Sequence, residues 1–202
     1  MGRGARFAAR GVLALLGLTQ GAVAQDCAPD RLDIRGDWGT ARFGIEIADD
    51  PAEQARGLMF RESLAASAAM LFVYPRAGSP SFWMKNTLIP LDMLFIRPDG
   101  TVAYVHDRAV PGDLTPINGG TGVLAVLEIK GGLAEALGIE AGDAVRHPVF
   151  DGDGAAWACD MGPDAAPEAA GAPTDGAPAG ATTNGTGDAA AAAEGGADAA
   201  GQ

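Results

Sequence analysis

The sequence predicts a mostly β domain, a compact antiparallel β-sandwich or barrel with two short helices. Short apolar stretches rich in Val, Ile, Leu and Phe recur from Arg42 onward. Pro, Gly and Asp turn signals separate them. Only two segments carry helix-start or helix-stop chemistry, and both are brief. Strands that outnumber helices in this way favour antiparallel sheet packing over a parallel α/β arrangement.

The elements follow in order. Residues 42–47 alternate, with Phe43, Ile45 and Ile47 on one side, the period of a half-buried strand. Asp50 is a good N-cap, Pro51 suits the first helical turn, and Glu53 has capping-box spacing. Gly57 keeps this helix short. Residues 69–74 form the next strand, closed by Pro75 and the Gly78–Ser81 loop. Residues 82–96 are the most apolar and aromatic stretch, and Pro90 divides it. We expect a strand at 82–84, an irregular link over 85–90 and a strand at 91–97. Pro98-Asp99-Gly100 is a tight turn, with Gly at the left-handed exit. Residues 101–106 pair back as a hairpin. Residues 108–122 form a long loop, and residues 123–129 a strand that is apolar on both faces except at Glu128. Leu133–Leu137 is the second helix, with Gly138 as its left-handed cap and Ile139 folding back on Leu133. A strand at 144–150 and a last one at 155–159 complete the domain.

The ends of the chain differ from its middle. Arg3, Arg6 and Arg10 precede the apolar run 12–18, too short to span a bilayer, and Ala22-Val23-Ala24 offers small residues for cleavage. We expect residues 1–24 to be a cleaved signal peptide, ahead of the reading as an uncleaved anchor. Gln25-Asp26 before Cys27 does not suit lipidation. The domain then covers residues 25–162. From Pro163 to Gln202 the chain is almost wholly Ala, Gly, Pro, Thr, Asp and Glu, with no aromatic, Leu, Ile or Val. Such a tail cannot bury enough apolar surface to offset its ordering entropy and is expected to be disordered. Asn184-Gly185-Thr186 is a formal glycosylation acceptor, read as chance.

The formal charge is −12, from 14 basic and 26 acidic residues. Removing the three arginines of the leader leaves 11 against 26, a charge of −15. No basic stripe remains, which argues against nucleic acid and anionic lipid as partners. The expected location is periplasmic or secreted. There the only two cysteines, Cys27 and Cys159, are expected to form a disulfide clasping the ends of the domain.

Catalytic and metal motifs are weak. Gly120–Ala125 fits GxGxxA, but a loop precedes it and a strand follows, so it is not a dinucleotide turn. There is no phosphate loop and no GxSxG elbow. His106 and His147 are the only histidines, too few for a catalytic metal site, and Asp151-Gly152-Asp153-Gly154 reads as a turn. No cofactor or metal is expected.

The informative residues are polar ones inside apolar strands. Asp92 lies between Leu91 and Met93, and Glu128 between Leu127 and Ile129. A buried carboxyl must be paired, hydrogen-bonded or protonated. Arg56 and Lys85 are candidate cations. In one reading these groups form a structural network, with Asp92 accepting backbone N–H bonds. In the other, Lys85, Asn86, Asp92 and Glu128 converge on a polar cleft beside Trp83. The structural network is the favoured reading.

Ala55-Arg56-Gly57-Leu58-Met59-Phe60-Arg61, Ala69-Met70-Leu71-Phe72, Phe82-Trp83-Met84-Lys85-Asn86-Thr87 leading to Pro90-Leu91-Asp92, Asp99-Gly100 and Leu127-Glu128 together resemble the DUF192 family, also called UPF0127. The resemblance covers about residues 43–149. Ala69 departs from a usual Gly, and Phe60 from a commonly small residue. The resemblance implies a small, frequently exported bacterial or archaeal protein with a compact β fold and short helices. It supplies no reaction, cofactor or catalytic residue.

The expected function is therefore an exported envelope domain that binds a small molecule or an envelope protein. Arg56, Trp83, Lys85, Asn86, Asp92 and Glu128 are its candidate binding or polar-network residues. One alternative is a hydrolase or transferase acting on envelope material through Asp92 and Glu128. Another is a structural or assembly role.

Overall fold

In the computed structural model, Met1 and residues 27–162 are described. The expected leader and acidic tail otherwise lie outside the described residues. The elements run β1 (Arg31–Gly36), β2 (Gly39–Ala48), α1 (Pro51–Arg56), β3 (Ala68–Gly78), β4 (Ser81–Phe82), β5 (Leu91–Ile96), β6 (Val102–Ala109), β7 (Ile117–Asn118), β8 (Val123–Lys130), α2 (Leu133–Leu137) and β9 (Ala144–Arg146), with a 3-10 turn at Pro148–Phe150. Seven strands form one sheet in the order β6-β5-β8-β3-β2-β1-β9, and β4 pairs with β7 in a small second sheet. The large sheet curls into a half-barrel. Its two edge strands meet at one end, where Thr101 bridges Ala144 and the Val145 N–H donates to the Gly100 carbonyl at 2.8 Å.

The mostly β class and both short helices are as the sequence predicts. Asp50 caps α1 by accepting from the Ala52 and Glu53 N–H groups at 2.7 and 2.8 Å. Gly138 caps α2 with φ 87°, and Ile139 is buried against the core. One pairing departs from the antiparallel pattern, because β2 and β3 run parallel. Parallel neighbours need a crossover. Residues 49–67, including α1, supply it, and this crossover lays α1 and the segment after it across the outer face of the sheet.

Core residues sort by sheet face. The inner cluster draws on all seven strands of the large sheet, from Leu32 and Ile34 through Phe43, Leu71, Leu94, Val102 and Leu127 to Val145. The outer cluster, with Met70, Phe72, Met93, Phe95 and Val126, is covered by Leu58 and Met84. Alternation along β5 and β8 assigns each side chain to one layer or the other.

Several sequence expectations shift. β1 is absent from the predicted elements because Asp33 and Arg35 interrupt its apolar pattern, yet both are buried. Asp33 is held by Arg42 at 2.6 Å and by Arg146 at 2.5 Å. Burial alone pushes the Asp33 pKa up, but the hydrogen bonds from these two guanidiniums outweigh it and hold the pKa below its ordinary value. The strand expected at 82–84 is only Ser81–Phe82, and its partner β7 lies in what reads as a loop. The strand expected at 144–150 stops at Arg146, where His147 caps the 3-10 turn that Pro148 starts. Residues 155–159 form turns rather than a strand. There Trp157 is buried, with the Arg35 and Arg146 guanidiniums 4.5 and 4.8 Å from its ring centroid. Cys27 and Cys159 are disulfide-bonded, with their Cα atoms 5.3 Å apart.

Candidate functional site

The crossover that makes β2 and β3 parallel also builds a cleft. Gln54, Arg56, Gly57 and Met59 form one wall. Ser81, Phe82, Trp83 and Thr87 form the other, and Phe72, Tyr74 and Glu128 rise from the sheet between them. The cleft holds about 390 Å³, within the size range of small-molecule sites. Its walls are part polar and part aromatic.

Glu128 is the chemical centre of this cleft. Its side chain leaves β8 on the outer face, between Met70 of β3 and Met93 of β5. It is 5 % exposed, and among the described residues its Oε2 is a buried oxygen with no hydrogen-bond partner. Burial raises its pKa to about 8, so the folded protein holds it as a neutral acid at pH 7. Tyr74 is raised as well, first by its own burial and then by the Glu128 charge.

Gly57 allows this close approach. It follows α1 with φ 47° and ψ −136°, a combination that favours glycine. A Cβ there would sit 3.1 Å from Phe72 Cζ and 4.0 Å from Glu128 Oε2. Gln54 donates from Nε2 to the Val73 carbonyl at 2.8 Å and to the Ala48 carbonyl at 3.3 Å. Both amide protons are thereby committed, and Oε1 is the group it can offer within the cleft.

The mouth is apolar and conformationally tight. Trp83 is 50 % exposed, and its ring carries the Lys85 ammonium 5.1 Å from its centroid. Phe60 and Leu88 are also exposed. Phe60 and Asn86 both adopt left-handed backbone, at φ 62° and 56°, and the Phe60 N–H donates to the Asn86 carbonyl at 2.8 Å. Such conformations cost free energy, and they concentrate at binding sites and switches. Asn86 Nδ2 lies 3.8 Å from Met59 Sδ.

The six sequence candidates therefore divide. Arg56, Trp83 and Glu128 line one cleft, Lys85 rests on the Trp83 ring, and Asn86 braces the mouth through Phe60 and Met59. Asp92 is elsewhere. It is fully buried on the inner face, where Oδ1 accepts from the Arg108 and Gly132 N–H groups and Oδ2 from the Ala134 N–H, each at 2.8 Å. It thus fixes the left-handed residue Arg108 in β6 and serves the N-terminus of α2, whose own N-cap, Gly132, has no side chain to do so. Asp92 pairs in register with Ile129 and Met93 with Glu128, so the two carboxyls leave opposite faces of the sheet. An acid/base pair made of Asp92 and Glu128 is not assembled.

Sequence reasoning missed Gln54, Gly57 and Tyr74. For Gly57 the signals were its place at the end of α1 and in the Ala55–Arg61 motif. Among the described residues, no group of three His, Cys, Asp or Glu side chains is placed to hold a metal ion, and no helix is long and apolar enough to cross a membrane.

Comparison with known proteins gives the following. A profile of the DUF192 family, described as uncharacterized ACR, matches residues 33–147. The chain is similar to a protein of unknown function from Novosphingobium aromaticivorans, with 44% identity and a TM-score of 0.56 over 57% of this chain and 82% of that one. It is also similar to a putative transcription regulator from Sinorhizobium meliloti, with 37% identity and a TM-score of 0.57 over 62% of this chain and 96% of that one. No curated protein matches.

Proposed function

The chain belongs to the DUF192 family, and we propose that its domain is an exported small-ligand binding module of the cell envelope. The observation that carries this reading is Glu128, whose Oε2 lies buried and unpartnered in a cleft flanked by the half-exposed ring of Trp83. A buried polar atom without a partner costs about 1–3 kcal/mol, and a ligand that reaches it recovers part of that cost. Export is supported by the Cys27–Cys159 bond, since such bonds persist in oxidising compartments, and by the basic, apolar, small-residue order of residues 1–24. The location proposed is periplasmic or secreted.

Purified protein should show a thermal shift with members of a metabolite library. A ligand at 100 times its Kd stabilises by about 2.7 kcal/mol. Trp83→Ala should abolish the shift while leaving the unliganded melting temperature nearly unchanged, because half of that ring is already in water. A library-wide absence of shifts would remove the ligand reading. N-terminal sequencing of envelope-fraction protein should begin at Gln25, and recovery of the intact leader in the cytoplasm would overturn export. An envelope protein seated on exposed Phe60, Trp83 and Leu88 is the second reading. Crosslinking from position 60 would capture such a partner.

A further inference from the structure

We propose that the ligand of this cleft is an organic cation, a primary amine or ammonium group that enters head first and rests on Glu128. The inference rests on the cleft being a ligand site and names the chemistry that site would take.

Three features of the cleft point the same way. Glu128 presents a buried oxygen that no group among the described residues satisfies. Gln54 has spent both amide protons on backbone carbonyls, which leaves its Oε1 as an acceptor. Four rings, those of Phe72, Tyr74, Phe82 and Trp83, line the same cleft. Acceptors combined with aromatic faces attract a donor that carries positive charge, because a cation over a ring gains about 0.5–2 kcal/mol. Lys85 already places an ammonium 5.1 Å from the Trp83 centroid, so that ring accepts this type of partner.

The charged and titratable groups that face Glu128 are few. Tyr74 comes from β3 and Arg56 from the end of α1. β3 and β5 otherwise present Met70 and Met93, and the 81–87 wall presents Ser81, Phe82, Trp83 and Thr87. Arg56 is exposed and makes no ion pair among the described residues. On the cleft wall it favours a ligand whose far end is neutral or anionic.

Binding is coupled to a proton. The empty cleft holds Glu128 as a neutral acid below about pH 8. An arriving ammonium stabilises the carboxylate, and the carboxyl proton leaves to solvent. Affinity for an amine should therefore tighten by close to tenfold per pH unit from pH 6 toward 8. A neutral hydroxyl ligand, which uses the acid as a donor, should weaken above pH 8.

The test is calorimetric titration of the full chain with n-butylamine, with Nα-acetyl-lysine amide as the peptide-borne form of the same head group, and with n-butanol and butyrate as neutral and anionic matches. The expected result is binding of one or both amines, release of about one proton at pH 7 seen as buffer-dependent heat, and at least tenfold loss in Glu128→Gln. The stronger amine tells whether the source is a free amine or a lysyl side chain. Gln is nearly isosteric and cannot ionise, so the variant should fold, which its melting curve verifies. Preference for butanol or butyrate, or amine binding that Glu128→Gln leaves unchanged, overturns the cation while leaving the ligand cleft standing. No binding by any of the four probes overturns the cation. Only a flat response across the metabolite library overturns the cleft as well.

Discussion

Asp92 and Glu128 lie on paired strands, one register position apart, and face opposite sides of the sheet. Each is a carboxyl buried in an apolar strand, and the sequence offers no local reason to treat them differently. Asp92 meets three backbone N–H groups. Glu128 Oε2 meets none. One holds the fold together, and the other is left with chemistry to spare.

Asp92→Asn should therefore be strongly destabilising. It turns an acceptor that serves three backbone donors into a side chain with donors of its own. Hydrogen bonds to a charged group are worth about 1.5–3 kcal/mol each, so a loss of roughly 3 kcal/mol or more is expected in chemical denaturation. Ligand affinity of the protein that remains folded should be unchanged, because Asp92 does not reach the cleft.

Glu128 makes stability depend on pH in the direction opposite to an ordinary carboxylate. Its pKa is 4.5 in the unfolded chain and about 8 in the folded protein. Between those values the folded state holds a proton that the unfolded state has lost. This contribution is complete below pH 4.5 and declines as pH rises to about 8, by at most about 1.4 kcal/mol per pH unit. Glu128→Gln should remove that decline, so the variant should be the more stable protein at pH 8.5. Denaturant midpoints measured across pH 5–9 check it, and parallel curves for the two proteins would contradict it.

His147 acts at the acidic end. Burial lowers its pKa below 6.5, against a smaller upward pull from its hydrogen bond to the Pro29 carbonyl. Below pH 6.5 the unfolded chain takes up a proton that the folded protein resists, so stability falls as pH drops from there toward the folded value. His147→Asn can keep an acceptor for the Val149 N–H, which His147 Nδ1 now binds at 3.2 Å. It should flatten the acid-side slope. NMR titration of the imidazole gives the folded pKa directly.

Reduction of Cys27–Cys159, or its replacement by two serines, should lower stability without abolishing the fold. The bond closes a loop of 132 residues, for which the chain-entropy model gives up to about 4–5 kcal/mol and practice usually less. Trp157 packs under two guanidiniums beside it, so intrinsic fluorescence should report fraying of the C-terminal turns first.

Gly57→Ala tests the cleft wall. The residue holds φ 47°, and its Cβ would press on Phe72 at 3.1 Å. A cost of about 1–3 kcal/mol is expected from the backbone alone. Ligand binding should weaken at the same time, since the wall must shift above Glu128. A variant that melts lower yet binds as tightly would show that the glycine serves only the turn.

Much of the fold was legible because its signals are local. Asp50-Pro51, Pro98-Asp99-Gly100 and Leu137-Gly138 mark element ends through backbone chemistry that neighbours hardly alter. The alternation in β2 likewise puts Phe43 and Ile45 on one face. β1 was not legible, because Asp33 and Arg35 break its apolar pattern, and the partners that let them be buried, Arg146 for Asp33 and Trp157 for Arg35, lie far along the chain. The parallel step from β2 to β3 was not legible either, since nothing in residues 49–67 states which side of the sheet the chain will return on.

The sequence by itself determined the family, the mostly β class, the two helix caps, the pairing of the only cysteines and a short set of polar residues placed where a core does not want them. It could not say what those residues meet. A carboxyl in an apolar strand is structural or available according to the atoms brought to it from elsewhere in the chain. Arg108 of β6 and Gly132 and Ala134 at the start of α2 reach Asp92 with three N–H groups, whereas the α1 crossover reaches Glu128 with a glycine and leaves it room. That difference is set by strand register and by the path of one crossover, and only the tertiary structure decides either.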